Sequence, residues 1–154
     1  LVIGDSNLRA WVRYPAEWTV VAHSGYRVQE IVGLLERSVD MLENVEHVIV
    51  TAGVCNRDDT SADIEDAAHQ LQRLQETLSG RLHFAGVPYG DYMSNQLQEK
   101  TISINDYMRD AVGANNYIEP PEPSATVFFE DNTHYARRTG QQMINVVQTF
   151  LGQH

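Results

Sequence analysis

Residues 1–9 read LVIGDSNLR, an apolar run that passes into four small or polar residues. An apolar run ending in Gly4-Asp5-Ser6-Asn7 is typical of a short strand followed by a tight turn. A serine in such a turn either caps the helix that follows or serves as a nucleophile. The second interpretation requires a base, an orienting carboxylate and donors for a developing oxyanion elsewhere in the chain.

Apolar runs alternate with segments of helical periodicity along the whole chain. We predict strands at residues 1–3, 18–22, 47–52, 82–87 and 116–119. Apolar side chains recur at helical spacing at residues 28–42, 64–78, 102–112 and 141–151, and the proline-rich residues 119–125 form a loop. This alternation predicts an α/β fold with three layers, α/β/α, in which a flavodoxin-like, doubly wound sheet of five parallel strands is covered on both faces.

Length and composition are those of one ordinary globular domain. The 154 residues suffice for a single domain over residues 1–154, and because a strand begins at residue 1 without an initiator methionine, we expect this domain to be part of a longer chain. No apolar run approaches the ~20 residues that a membrane-spanning helix needs. Cys55 is the only cysteine, so no internal disulfide can form, which suits a reducing, intracellular (cytoplasmic) compartment.

Charge and ligand spacing narrow the range of partners. The 11 Lys and Arg residues against 21 Asp and Glu residues give a net charge of -10, which repels polyanions, so nucleic-acid binding is not expected. A single cysteine excludes a four-cysteine zinc site, and the histidines do not have ligand spacing. We therefore expect neither a metal nor another cofactor, and the sequence does not predict the oligomeric state.

Ligands of such a sheet gather beyond the carboxyl ends of its strands. The predicted strand ends carry polar residues at 4–7, 23–26, 53–56 and 88–91, and the loop before the last helix reads Asp131-Asn132-Thr133-His134. We expect all five segments to meet at one edge of the domain.

Three of these side chains have the chemistry of a nucleophilic catalyst. Ser6 is the candidate nucleophile, at the start of a helix that we expect after the first strand and that would include Arg9 and Arg13. Asp131 and His134 are spaced i and i+3, which lets the carboxylate meet one imidazole nitrogen while the other nitrogen faces Ser6. The candidate oxyanion donors are the backbone N–H groups of Ser6 and Gly25 and the side-chain amide of Asn56.

These motifs resemble the SGNH (GDSL-type) hydrolase superfamily over essentially the whole chain. The matching segments are GDSN at residues 4–7, Gly25 after the second strand, the glycine-led turn at residues 53–56, and Asp131-x-x-His134 before the last helix. The resemblance implies a triad of Ser6, His134 and Asp131, with Gly25 in the oxyanion hole. The chain is also similar to esterase domains of metazoan retroelement proteins and to a related germ-plasm RNA-binding domain without the triad, and its Ser6, Asp131 and His134 favour the former.

The third motif departs from the family pattern. The family has Gly-x-Asn-Asp where this chain has Gly53-Val54-Cys55-Asn56. Either the turn holds an extra residue and Asn56 still supplies the amide donor, or Cys55 occupies that position and the donor is lost. Removing one such donor typically lowers turnover by ~10² to 10³. A glycine also follows the histidine by six residues, at Gly140, where the family commonly has five.

The sequence thus favours a serine esterase that hydrolyses short-chain, acetyl-type esters through an acyl-enzyme, with a small acyl ester as its substrate. The alternative is a catalytically weak or inactive module of the same fold that binds RNA, lipid or a protein. Several arginines are candidates for the rim of the site, although most surface arginines are only solvated: Arg9, Arg13, Arg57, Arg137 and Arg138.

Overall fold

Five short strands form one parallel sheet in the computed structural model, which describes residues 1–154. The strand order is β2-β1-β3-β4-β5, and every neighbouring pair is parallel. The predicted α/β fold with five parallel strands is confirmed. Strand β1 has the predicted length of three residues but begins one residue later, and the other four strands are shorter than the apolar runs that predicted them: β1 Val2–Gly4, β2 Val20–Ala22, β3 Val48–Thr51, β4 Leu82–Ala85 and β5 Tyr117–Ile118.

Four α-helices follow the strands in the predicted order: α1 Val28–Arg37, α2 Ser61–Thr77, α3 Asn95–Val112 and α4 Arg137–Gly152. Helix α3 begins seven residues before its predicted start, because the hydroxyl of Ser94 accepts the N–H of Leu97 and caps two polar turns that carry little apolar signal. Helix α1 ends earlier than predicted, at Arg37, and the chain continues as a 3-10 helix over Val39–Leu42. None of the four helices is long and apolar enough to cross a membrane.

The helices form layers on both faces of the sheet. Helix α2 packs against α1 and α3 on one face, while α4 packs against a short 3-10 helix, Ser6–Ala10, on the other. The largest fully buried side chains come from the strands and from both helical layers, among them Leu71, Phe84, Ile104 and Met143. The hydrophobic residues predicted from periodicity therefore make one continuous core.

Gly140 fixes the contact between α4 and the 3-10 helix. A Cβ atom at this position would lie 2.2 Å from the carbonyl oxygen of Ala10, so only glycine allows the two elements to approach this closely. The close contact brings the start of α4, and the loop before it, next to the turn that follows β1. This gives the glycine six residues after His134 a packing role.

The strand order places a crevice between β1 and β3. The chain passes from β1 outward to β2, and then crosses over β1 to form β3 on its other side. Connections therefore leave β1 and β3 in opposite directions, and the carboxyl ends of these two strands flank the position where ligands bind in such sheets. Ser6 follows β1, and residues 53–56 follow β3.

Candidate active site

Ser6 is the first residue of the 3-10 helix, but it does not cap that helix. Asp5 is the N-cap, and its Oδ1 accepts the N–H of Asn7 at 2.9 Å. The hydroxyl of Ser6 is therefore free for another partner. The element that follows β1 is five 3-10 residues rather than the predicted longer helix, and Arg13 lies beyond its end.

The structure brings together the side chains of Ser6, His134 and Asp131. The Ser6 hydroxyl lies 3.4 Å from Nε2 of His134, although the two residues are 128 positions apart. The other ring nitrogen, Nδ1, lies 2.7 Å from Oδ2 of Asp131. The second carboxylate oxygen of Asp131 accepts the backbone N–H groups of Thr133 and His134, at 2.9 and 3.0 Å, so the carboxylate is held by its own loop.

These contacts determine the charge of Asp131. The hydrogen bond from the His134 side chain, followed by those from two backbone N–H groups, lowers the pKa of Asp131 to about 2. Asp131 is therefore a carboxylate at neutral pH and orients His134 with Nδ1 protonated and Nε2 facing Ser6. The side chains of both residues are 48% exposed, so reactants reach them from solvent.

Asn7 holds the loop that carries His134, and the sequence analysis did not assign it a role. This side chain is buried, with Nδ2 donating to the carbonyl oxygen of Thr133 at 3.0 Å and Oδ1 accepting the N–H of Tyr135 at 2.8 Å. A second clamp comes from Arg57, whose guanidinium donates to the carbonyl oxygen of Asn132. The backbone on both sides of His134 is thus tied to the ends of β1 and β3.

The backbone N–H of Gly25 has no acceptor within the chain, and that of Ser6, the first residue of the 3-10 helix, has no partner within that helix. Gly25 lies in the exposed turn after β2 with a positive φ of 76°, and a Cβ there would meet nothing within 4 Å. Glycine is thus needed at this position for its backbone conformation and not for space. The two backbone groups predicted as oxyanion donors thus follow the carboxyl ends of β1 and β2.

Asn56 does not have the predicted arrangement. Its side chain is fully buried, its Oδ1 accepts the N–H of Val28 at 3.0 Å, and its Nδ2 donates to Gln29 at 2.8 Å and to Asp59 at 3.1 Å. Both amide hydrogens are therefore used, and they fasten the turn after β3 to the start of α1. The structure does not support the prediction of Asn56 as an oxyanion donor, because its amide has no hydrogen left for a substrate.

Cys55, the alternative at this position, is only partly buried. Burial, reinforced by the negative charge of Asp5, raises the pKa of the Cys55 thiol. The thiol stays protonated at neutral pH, and an S–H group is a weak donor. The backbone carbonyl oxygen of Cys55 accepts a hydrogen bond from Nε of Arg27 at 3.4 Å. Arg27 is the N-cap of α1, so this bond is another link between the turn after β3 and the start of α1.

A buried carboxyl group directly precedes the serine in the chain. Asp5 is 2% exposed, and its Oδ2 has no hydrogen-bond partner. Burial raises the pKa of Asp5 to about 6, against the lowering effect of the Asn7 N–H and of the charges of His134 and Arg57. Burial also lowers the pKa of Arg57, whose Nε and Nη2 have no partner either.

A cavity of about 440 Å³ opens beside Ser6 and His134. Its other lining residues come from the 3-10 helix, the turn after β2 and the segment before and at the start of α4: Asn7, Arg9, Ala10, Ser24, Phe129, Tyr135 and Arg137. A larger cavity of about 850 Å³ lies along β2 and α1 but contains neither Ser6 nor His134. No group of three or more His, Cys, Asp or Glu side chains is arranged to hold a metal ion.

The chain has the fold of the SGNH (GDSL-type) hydrolases. It is similar to a lipolytic G-D-S-L family protein from Veillonella parvula, with a TM-score of 0.72 and 15% identity over 99% of this chain and 97% of that one. A carbohydrate acetylesterase from Sinorhizobium meliloti gives 0.71 and 12% over 99% and 98% of the two chains. An acetyl xylan esterase gives 0.64 and 13% over 96% and 98%. No family model and no curated protein matches the sequence.

Proposed function

We propose that this chain is a serine esterase that hydrolyses short-chain, acetyl-type esters through an acyl-enzyme. The observation that carries the proposal is the continuous chain of contacts from the Ser6 hydroxyl through both nitrogens of His134 to Asp131, at 3.4 and 2.7 Å. A hydroxyl becomes a useful nucleophile when a base accepts its proton and a third group orients that base. Structural neighbours that are themselves esterases support the same class of reaction.

The proposed reaction uses the three side chains in sequence. Oγ of Ser6 attacks the ester carbonyl carbon while its proton passes to Nε2 of His134, and the charged oxygen accepts the N–H groups of Ser6 and Gly25. The C–O bond to the alcohol then breaks, and the alcohol leaves with the proton from His134. Water, activated by the same nitrogen, attacks the acyl group and regenerates Ser6.

The short acyl group rests on the size of the site. The cavity of about 440 Å³ is at the small end of ligand pockets, and Ser6 and His134 line it directly. Two structural neighbours, an acetyl xylan esterase and a carbohydrate acetylesterase, act on acetyl esters by their names. Acetyl or a similarly small acyl group is therefore the proposed substrate, whereas the alcohol is not specified by these observations.

The competing function is a binding module that turns over slowly or not at all. The arrangement of Asn56 favours it, because both amide hydrogens point to protein acceptors and the proposed oxyanion site has only backbone donors. Loss of one side-chain donor typically lowers turnover by ~10² to 10³ without abolishing it. We therefore expect a measurable but slow esterase.

Hydrolysis of 4-nitrophenyl acetate by the native protein and by Ser6→Ala tests the proposal. We expect Ser6→Ala to lower turnover at least ~10³-fold. The matched control is Ser24→Ala, which removes another hydroxyl from the same cavity without touching His134. An organophosphonate adduct on the peptide that contains Ser6, detected by mass spectrometry, is the second expected result. Equal rates for the native protein and Ser6→Ala, or an adduct elsewhere, would refute the proposal.

A further inference from the structure

Two arginines line the cavity beside the serine and the histidine. Arg9 lies three residues after Ser6 in the 3-10 helix, and residues i and i+3 of a 3-10 helix eclipse one another, so its side chain rises from the same face as Ser6. Arg137 begins α4, three residues after His134. Each residue of the reacting pair therefore has an arginine three positions further along the chain, and both arginines line the same cavity.

Neither guanidinium is neutralised within the protein. The four ion pairs of the chain involve Arg27, His47, Arg109 and His134, and none involves Arg9 or Arg137. Both side chains are exposed, and neither makes a hydrogen bond to another protein group. No Asp or Glu is among the nine lining residues, although the chain as a whole carries a net charge of -10. The cavity lining thus carries two guanidinium groups and no carboxylate, while the carboxylate of Asp131 is paired with His134.

We propose that Arg9 and Arg137 select an ester substrate that carries a negative charge, a carboxylate or a phosphate, within a few bonds of the ester carbonyl. The inference rests on the proposed esterase function, because it takes Ser6 and His134 as the position of the ester. A planar guanidinium binds carboxylate and phosphate oxygens through paired N–H donors, and two guanidinium groups that line one cavity favour an anionic ligand there.

Phe129 supplies the apolar part of the same site. Its side chain is 60% exposed and lines the cavity, and its backbone N–H donates to the carbonyl oxygen of His134 at 2.9 Å. An exposed phenyl ring beside two cations suits a ligand with an apolar body and an anionic end. A small aryl or alkyl ester with a terminal anion has this composition.

Three acetate esters that share one acyl group test the inference: 4-acetoxybenzoate, its neutral methyl ester, and 4-acetoxyphenyl phosphate. The measured quantity is kcat/KM for each anionic ester divided by kcat/KM for the neutral ester. Intrinsic reactivity cancels when this ratio is compared between the native protein and a variant. Arg9→Gln and Arg137→Gln should each lower the ratio by roughly fivefold, the upper end for an exposed ion pair, and the double variant by more. The carboxylate and phosphate arms show which anion the pair prefers.

Arg13→Gln and Arg138→Gln are matched controls. Both arginines are exposed, neither lines the cavity, and each variant changes the net charge by the same amount as its partner variant. We expect the ratio in these controls to equal that of the native protein. An unchanged ratio in the double variant of Arg9 and Arg137, or an equal fall in Arg138→Gln, would overturn the inference.

A binding measurement separates failure of this inference from failure of the esterase proposal. Ser6→Ala keeps the cavity, so NMR titration of this variant with 4-hydroxybenzoate and with its methyl ester reports selectivity without catalysis. Tighter binding of the carboxylate, lost when Arg9 and Arg137 are also changed, would support the anionic site even if the protein hydrolysed no ester. Equal binding of both ligands would refute the inference even if the protein hydrolysed neutral esters.

Discussion

The carboxyl ends of β1 and β3 each carry a buried asparagine, and the two side chains do opposite things for the site. Asn7, after β1, bonds to Thr133 and Tyr135 and so holds His134 over Ser6. Asn56, after β3, bonds to Val28, Gln29 and Asp59 and so faces away from the reacting groups. The same residue type at equivalent strand ends either builds the site or supports the scaffold, depending on which chain segment packs above it.

Among the substitutions at the two strand ends, we expect the largest loss of turnover at His134, the histidine whose loop is held by Asn7. His134→Ala removes the proposed base, so we expect turnover of 4-nitrophenyl acetate to fall at least ~10³-fold. His23→Ala is the matched control, since His23 follows β2, stacks on Tyr26 at 4.7 Å between ring centroids and does not line the cavity. A comparable loss in His23→Ala, or none in His134→Ala, would break the assignment of the base.

Asn7→Ala should have the next largest effect. The variant loses two hydrogen bonds and leaves the Tyr135 N–H unpaired in a buried position, which costs about 1–3 kcal/mol of stability. It also frees His134 to move, and a misplacement of about 1 Å costs roughly 10²-fold in turnover. Thermal unfolding and kcat, both measured on the same sample, test these two effects.

A second variant separates positioning from folding at this residue. Asn7→Asp keeps the acceptor for Tyr135 but loses the donor to Thr133, so we expect kcat between those of the native protein and Asn7→Ala. If Asn7 positions His134, kcat should fall with little change in KM. If both variants lost stability while kcat per folded molecule stayed native, Asn7 would only stabilise the fold.

The fold could be predicted from the sequence because its signal is local. Runs of β-branched residues and helical spacing lie within single elements, and they predicted five strands and four helices in the right order. The start of α3 was missed, because its first turns are polar and only the Ser94 cap marks it. The helix expected to begin at Ser6 is a 3-10 helix of only five residues, and its close contact with α4 at Gly140 is not visible in the local sequence.

The site could be predicted only in part, because its decisive contacts are not local. Ser6 and Asp131-x-x-His134 are recognisable as short motifs, and the structure brings them together. The partners of Asn7 lie 126 and 128 residues away, and those of Asn56 on α1 lie 27 and 28 residues away. Spacing along the sequence does not show where an asparagine side chain points. From the sequence, the amide donor was therefore predicted at Asn56, and no role was predicted for Asn7.

Asp5 lies between the two strand ends and should show a pH-dependent effect of intermediate size. Burial raises its pKa from 3.8 to about 6, so the folded state holds this proton more tightly than the unfolded state does. The contribution of Asp5 to stability therefore falls as the pH rises from about 4 to about 6. Asp5→Asn removes this dependence. The free energy of unfolding of the variant minus that of the native protein should therefore be roughly 1–3 kcal/mol higher at pH 7 than at pH 4.

Urea unfolding at both pH values measures the effect of Asp5→Asn. Burial lowers the pKa of His83 to about 4, so His83 makes native stability rise with pH over much of the same window. The difference between native protein and variant cancels that contribution. Asp66→Asn, on the exposed side of α2, is the control. A difference that does not change with pH would show that Asp5 titrates alike in the folded and unfolded states.

Asn56→Ala should have the smallest effect on turnover, and it is the most direct test of the difference between Asn7 and Asn56. If its amide served the oxyanion, kcat would fall by ~10² to 10³. Because both amide hydrogens are already bonded to Gln29 and Asp59, we expect a change of less than about threefold per folded molecule, counted by titration with the phosphonate. Stability should nevertheless fall, since the buried Val28 N–H loses its acceptor. Cys55→Ala is the neighbouring control, and a hundredfold fall in kcat for Asn56→Ala alone would mean that this turn rearranges to present Asn56 to the substrate.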